Sequence, residues 1–112
     1  MPRQARLDAP GTLHHVMARG IERGKIFRGE ADYADFLGRL EAVAVSTVVK
    51  VFAWALLPNH FHLLLRTAEV GLWTVMRRVM TGYAGAFNRR HRRHGHLFQN
   101  RYKSILCEEE GT

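Results

Sequence analysis

Between Gly11 and Arg19 the side chains alternate, with Leu13, His15 and Met17 on one face and His14, Val16 and Ala18 on the other. A period of two predicts a β-strand. Gly20-Ile21-Glu22-Arg23-Gly24 follows as a Gly-bounded charged loop. From about Ala31 to Ser46 the period lengthens, and Phe36, Leu37, Leu40, Val43 and Ala44 keep the spacing of a buried helical stripe. Glu30 or Asp32 favours its first turn electrostatically. Val48 to Leu57 is an almost unbroken apolar run, which predicts a strand buried on both faces. Pro58-Asn59 is turn chemistry. Alternation resumes at His60 and runs to about Arg66, so the two strands read as a hairpin. From Gly71 to about His91 the helical period returns: Leu72, Met76, Val79, Tyr83 and Phe87 form one stripe, with Arg77, Arg78, Thr81, Asn88 and Arg89 largely off it. Gly82 and Gly85 weaken this helix slightly and mark close packing on the sheet. His96 to Cys107 alternates again and predicts a last strand.

The order is therefore βαββαβ, the pattern of an α+β ferredoxin-like sandwich, an antiparallel sheet with two helices on one face. In that topology the first and third strands are central neighbours, and the other face of the sheet is open to a ligand. At 112 residues, 46% of them apolar, the chain predicts one domain over residues 1–112. No repeat, low-complexity segment or linker interrupts it. No apolar run approaches the length of a membrane span, and the N-terminal residues lack a signal-peptide apolar stretch. One cysteine, Cys107, leaves no internal disulfide and fits a reducing, cytoplasmic setting.

Charge changes the picture more than composition does. The net charge is +7. From Arg77 to Cys107 there are eight Lys or Arg residues and no acid, while the tail Glu108-Glu109-Glu110 is wholly acidic. One contiguous stretch thus has the electrostatic footprint expected of a phosphate-backbone binder, with a solvated basic helix face or attraction to an anionic membrane as the alternatives. Phe98 and Tyr102, set among Arg and Lys, suit base stacking on a single strand, although core packing accounts for Phe98 equally well.

The stretch Leu57-Pro58-Asn59-His60-Phe61-His62-Leu63-Leu64-Leu65 carries the most specific chemistry. On a strand His60 and His62 share one face while Phe61, Leu63 and Leu65 enter the core. Two neutral imidazoles can hold a divalent ion, but they make an incomplete site, and the spacing alone equally describes a pair of exposed or hydrogen-bonded histidines at a strand start. A third ligand has to come from His14 or His15, from a residue after Cys107, or from phosphate oxygens of a substrate. A zinc site using Cys107 lacks the usual Cys and His spacings. A tyrosine oxygen can attack phosphorus, yet Tyr33 and Tyr83 fall on or beside core stripes and Tyr102 alternates away from Arg101 and Lys103.

Four blocks in order, Gly11-Thr12-Leu13-His14-His15-Val16 with Arg19-Gly20, Leu57 to Leu64, Phe87-Asn88-Arg89-Arg90-His91 and Gly95 to Ser104, resemble the single-tyrosine HUH transposases, in particular the REP-associated branch. The His-bulky-His motif is here His60-Phe61-His62. The resemblance implies binding of single-stranded or hairpin DNA and a divalent ion, Mg²⁺ or Mn²⁺, on His60 and His62 as catalytic and metal residues. It also implies cleavage and rejoining through a 5′-phosphotyrosine with a free 3′-OH, in a monomer or a homodimer. The basic residues expected on DNA are Arg19, Arg77, Arg78, Arg89, Arg90, Arg92, Arg93, Arg101 and Lys103.

Two departures qualify the resemblance. In relatives the nucleophilic tyrosine lies on a helix after the last strand, and this sequence ends at Thr112 where that helix should begin. The expectation is therefore a domain missing its catalytic helix, which binds DNA but cleaves it poorly or not at all. Ile21 also stands where relatives tend to have a polar residue. The rival reading is a non-catalytic single-stranded nucleic-acid-binding module of RNA-recognition topology, which predicts stacking aromatics on the open face.

Overall fold

The computed structural model describes residues 9–107. Strand β1 (Leu13–Arg19) is followed by a short 3₁₀ turn (Ile21–Arg23), helix α1 (Glu30–Thr47), strand β2 (Lys50–Leu57), strand β3 (His60–Arg66), helix α2 (Leu72–Arg90) and strand β4 (Lys103–Cys107). The four strands form one sheet in the order β2-β3-β1-β4, and every pairing is antiparallel. Both helices pack on one face, giving the expected α+β sandwich.

The period-two pattern decides which side chains meet the helices. Along β1 His14, Val16 and Ala18 are buried, as are Phe61, Leu63 and Leu65 along β3. Phe36 and Leu40 of α1 and the stripe Leu72, Met76, Val79, Tyr83 and Phe87 of α2 close over them. Phe36 lies 4.8 Å from Phe61 and 5.3 Å from Tyr83, ring centroid to ring centroid. Removing one such ring costs about 3–5 kcal/mol through lost transfer energy and the cavity left behind.

Three sequence expectations need correction. The apolar run is not buried on both faces: β2 is an edge strand, and Trp54, although opposite Leu63, remains 55% exposed. The helices cover the middle of the sheet and leave this edge open, and a register shift between Val51 and Ala53 loosens the ladder further. The last strand is shorter than alternation predicts. Residues 96–102 follow β1 only through an isolated bridge between Gly20 and Phe98, and Asn100 adopts φ 60°, which breaks the extended run before β4. Gly82 does not face the sheet. A Cβ there would lie 2.9 Å from Nη1 of Arg39, so this glycine admits the Arg39 side chain of α1 against α2.

The two helices are also tied electrostatically. Asp32, 1% exposed, accepts the backbone N–H of Arg28 at 2.7 Å and Nε2–H of His91 at 2.9 Å. The Arg90 guanidinium lies 2.7 Å from Asp32 and 3.1 Å from Asp35. Burial alone pushes the Asp32 carboxyl up, but the hydrogen bonds from Arg28, His91 and Arg90 outweigh it and hold the group below its ordinary value. Asp32 thus does more than complement the first turn of α1. It closes the gap between the start of one helix and the end of the other.

Candidate functional site

The open face of the sheet carries the alternate residues, and the β1–β3 register brings the chemistry together. Arg19 pairs with His60 and Met17 with His62. The two histidine rings lie 5.1 Å apart and nearly perpendicular. His15, one step further along β1, stacks on His62 with ring centroids 5.1 Å apart, its Nε2 being 3.0 Å from His62 Nδ1. His60 Nδ1–H donates to Asn59 Oδ1 at 2.8 Å, so in the neutral ring the lone pair is on Nε2. Partial burial, and then the charges on His15 and His60, push the His62 imidazolium down, favouring the neutral ring.

Backbone hydrogen bonds hold two loops against this pair. The Gly20 N–H donates to the Asn59 carbonyl at 2.9 Å. The Pro58 carbonyl accepts from Ile26 at 2.7 Å and from Phe27 at 3.1 Å. The charged loop after β1 is thereby stapled to the hairpin turn, and it folds so tightly that a Cβ on Gly20 would sit 2.1 Å from the Gly24 carbonyl oxygen. Only glycine fits there. The outcome is a cleft of about 310 Å³ lined by Met17, Arg19, Arg23, Asn59, His60 and His62.

The sequence-derived candidates divide by position. His60, His62 and Arg19 converge in this cleft. Arg101 and Lys103 line an adjoining hollow that also touches Met17 and Arg19. Arg77, Arg78, Arg89 and Arg92 are exposed elsewhere. Arg90 is bound to Asp32 and Asp35, and Arg93 donates to Asn88 Oδ1 and the His96 carbonyl, each at 2.9 Å. Of the two candidate third ligands on β1, His14 is on the wrong side: it is buried under the helices, with Nε2 2.7 Å from Thr12 Oγ1. Among the described residues no three His, Cys, Asp or Glu side chains form a metal-holding group. A ligand after Cys107 falls outside the described residues, as does the chain end at which the catalytic helix is expected to be missing.

Arg23 and Asn59 belong to the site although neither was singled out by its sequence pattern. The usable signal was the pair of glycines flanking Arg23, which marks a turn tight enough to bring its side chain back to the sheet.

No tyrosine reaches the cleft. The sequence holds three, Tyr33, Tyr83 and Tyr102. Tyr83 is fully buried and donates its hydroxyl hydrogen to the Ile26 carbonyl. Burial, followed by the charge of Asp32, pushes its phenol far above the ordinary tyrosine value. Tyr33 stacks on Phe27 at 4.6 Å, and Tyr102 packs against the core from the loop before β4. The open faces of the central strands β1 and β3 present His15, His60 and His62 and no Phe, Tyr or Trp, while the exposed Phe52 stands on the edge strand β2 with the Arg66 guanidinium 5.9 Å from its ring centroid. Histidines thus occupy the central positions where the RNA-recognition reading expects stacking aromatics.

A family model described as "Transposase IS200 like" matches residues 10–112. Among solved structures, the chain is similar to a REP-associated tyrosine transposase bound to a REP hairpin, with a TM-score of 0.75 and 13% identity over 92% of this chain and 60% of that one. It is also similar to a Deinococcus radiodurans R1 protein described as a transposase, with a TM-score of 0.69 and 16% identity over 90% of this chain and 82% of the other. The chain thus spans less than two thirds of the first of these proteins. No curated protein matches it. No helix among the described residues is long and apolar enough to cross a membrane.

Proposed function

Because the chain belongs to the IS200-like transposase family, we propose that it is a DNA transposase domain that takes single-stranded or hairpin DNA on the open face of its sheet. The observation that carries this reading is the placement of His60 and His62 side by side in a cleft whose charged walls are Arg19 and Arg23. The similar structure bound to a REP hairpin supports a hairpin as the partner.

The residues present fit a divalent cation, Mg²⁺ or Mn²⁺, as one half of its ligand set. His60 offers Nε2 because Asn59 occupies its other nitrogen, and His62 favours the neutral form that ligation needs. What the cation supplies when bound is Lewis-acid polarisation of the scissile phosphate. Arg19 and Arg23 fix the phosphate beside the pair by charge-assisted hydrogen bonds. Asn59 holds the His60 ring in one tautomer, a positioning role. In the complete reaction a phenolic oxygen displaces the 3′ oxygen at phosphorus, giving a 5′-phosphotyrosine and a free 3′-OH, and the reverse step rejoins the strand.

That nucleophile is not assigned to Tyr33, Tyr83 or Tyr102, since none lines the cleft. On this reading the described residues bind DNA and a metal ion without supplying the nucleophile, and the cytoplasm is the expected setting. The test is incubation with a labelled hairpin and Mn²⁺, resolved on native and denaturing gels. Retarded hairpin on the native gel with no covalent adduct on the denaturing gel is expected. Absence of any retarded species contradicts the DNA-binding reading, and a strong covalent adduct contradicts the assignment of the tyrosines.

A further inference from the structure

The histidine cleft is not closed at the β4 side. Met17 and Arg19, which line it, also line a hollow of about 110 Å³ together with Arg101 and Lys103. Arg101 then lines a third hollow, of about 160 Å³, with Trp73, Arg77 and Tyr102. These concavities share lining residues, Met17 and Arg19 between the first two and Arg101 between the second and third, so they lie side by side from the open face to the first turns of α2. Arginine or lysine borders each of them, and no carboxylate lines any of the three.

At the far end stands Trp73, the second residue of α2 and 45% exposed. Its neighbours Leu72, Val75 and Met76 already supply the buried stripe, so the core does not require this ring. The Arg77 guanidinium carbon lies 4.9 Å from the ring centroid, which steadies the indole and places a positive charge beside it. An exposed aromatic ring held next to arginines, at the end of a basic course, is the combination that binds an unpaired base and its phosphate. Trp54 provides the contrast. It is similarly exposed, yet it lines none of these hollows.

We propose that Trp73 is the stacking platform for an unpaired base in a single-stranded DNA flank that leaves the histidine cleft and passes round the β4 edge. The proposal rests on the DNA-binding reading above and adds a second, separate contact on the helix layer. A hairpin lacking a flank ends before reaching Trp73, whereas a flanked hairpin engages it.

Two hairpins with identical stems, one with a single-stranded thymidine flank and one blunt, separate the two readings when titrated against the full chain. Trp73→Ala is expected to weaken the flanked hairpin about tenfold, the order of one lost base stack, and to leave the blunt hairpin unchanged. Trp73→Phe should restore most of the loss, and Trp54→Ala should bind like the parent. In a Trp54→Phe background Trp73 is the only tryptophan, and its fluorescence should be quenched by the flanked hairpin but not by the blunt hairpin or by poly-glutamate. Equal weakening of both hairpins, no weakening of either, or equal quenching by poly-glutamate overturns the stacking site while the DNA-binding reading stands. Failure of the parent chain to bind either hairpin overturns both.

Discussion

His15 Nε2 lies 3.0 Å from His62 Nδ1, so the second histidine of the pair is held by a third. One of these nitrogens must carry the hydrogen. If it is His62 Nδ1, the His62 Nε2 lone pair is free for a cation; if it is His15 Nε2, the His62 Nε2 is protonated and closed to one. Metal binding through this atom therefore selects one tautomer of both rings. His15→Ala is expected to lower Mn²⁺ affinity about tenfold, the lower end for loss of an outer-sphere partner, measured by electron paramagnetic resonance of free Mn²⁺. His15→Gln should recover part of it. Unchanged affinity in His15→Ala would show that the neighbouring ring does not set the tautomer.

Stability below neutral pH should depend on Asp32. Its carboxyl is held below the ordinary value in the folded chain, so it takes up protons more readily when unfolded. The resulting stabilisation is present above the unfolded carboxylate range and is lost as pH falls through the lower, folded value. Asp32→Asn should flatten this acid limb in urea titrations taken from pH 6 downward. Asp32→Ala removes the acceptor of His91 and of the Arg28 N–H and leaves Arg90 with Asp35 alone, and should cost about 2 kcal/mol at pH 7. A parallel acid limb in Asp32→Asn contradicts the assignment.

Gly20 is the strictest backbone position near the site. A methyl group there meets the Gly24 carbonyl oxygen at 2.1 Å, and relief requires opening the turn that carries Arg23. Gly20→Ala is expected to destabilise the fold by roughly 2–3 kcal/mol and to weaken hairpin binding even at temperatures where the chain stays folded. Normal binding by a fully folded variant would mean that the turn does not position the arginines.

Tyr83 serves the core, not the chemistry. Tyr83→Phe removes the hydroxyl and leaves the Ile26 carbonyl without that donor. The expected loss is about 1–2 kcal/mol in thermal unfolding, with hairpin affinity unchanged. A change in DNA binding or processing with intact stability would give Tyr83 a role that its burial argues against.

How far these features could be read in advance depends on whether their causes are local. The alternation in Leu13–Arg19 and His60–Arg66 fixes which side chains share a face, so the histidine pair and its core-facing neighbours were legible without coordinates. The β2 run was not, because an apolar composition records what could be buried and not whether a helix reaches it. Trp54 stands at an edge that neither helix covers. Residues 96–102 keep an alternating pattern that the left-handed Asn100 interrupts, and Asn can take that conformation without an obvious signal. Asp32 and Arg90 are 58 positions apart, and nothing in either segment announces the other. Arg90 consequently read as one more free cation in a basic stretch.

The central claim is that His60 and His62 hold a divalent cation within a DNA-binding cleft, and a paired substitution tests it most directly. Mn²⁺ binding should be measured by isothermal titration with the hairpin bound, for the parent chain and for the His60→Ala, His62→Ala double variant. The parent is expected to bind one ion per chain and the variant none, while metal-free hairpin affinity stays within about threefold because Arg19 and Arg23, the proposed phosphate contacts, are untouched. Equal Mn²⁺ binding by both proteins would contradict the account.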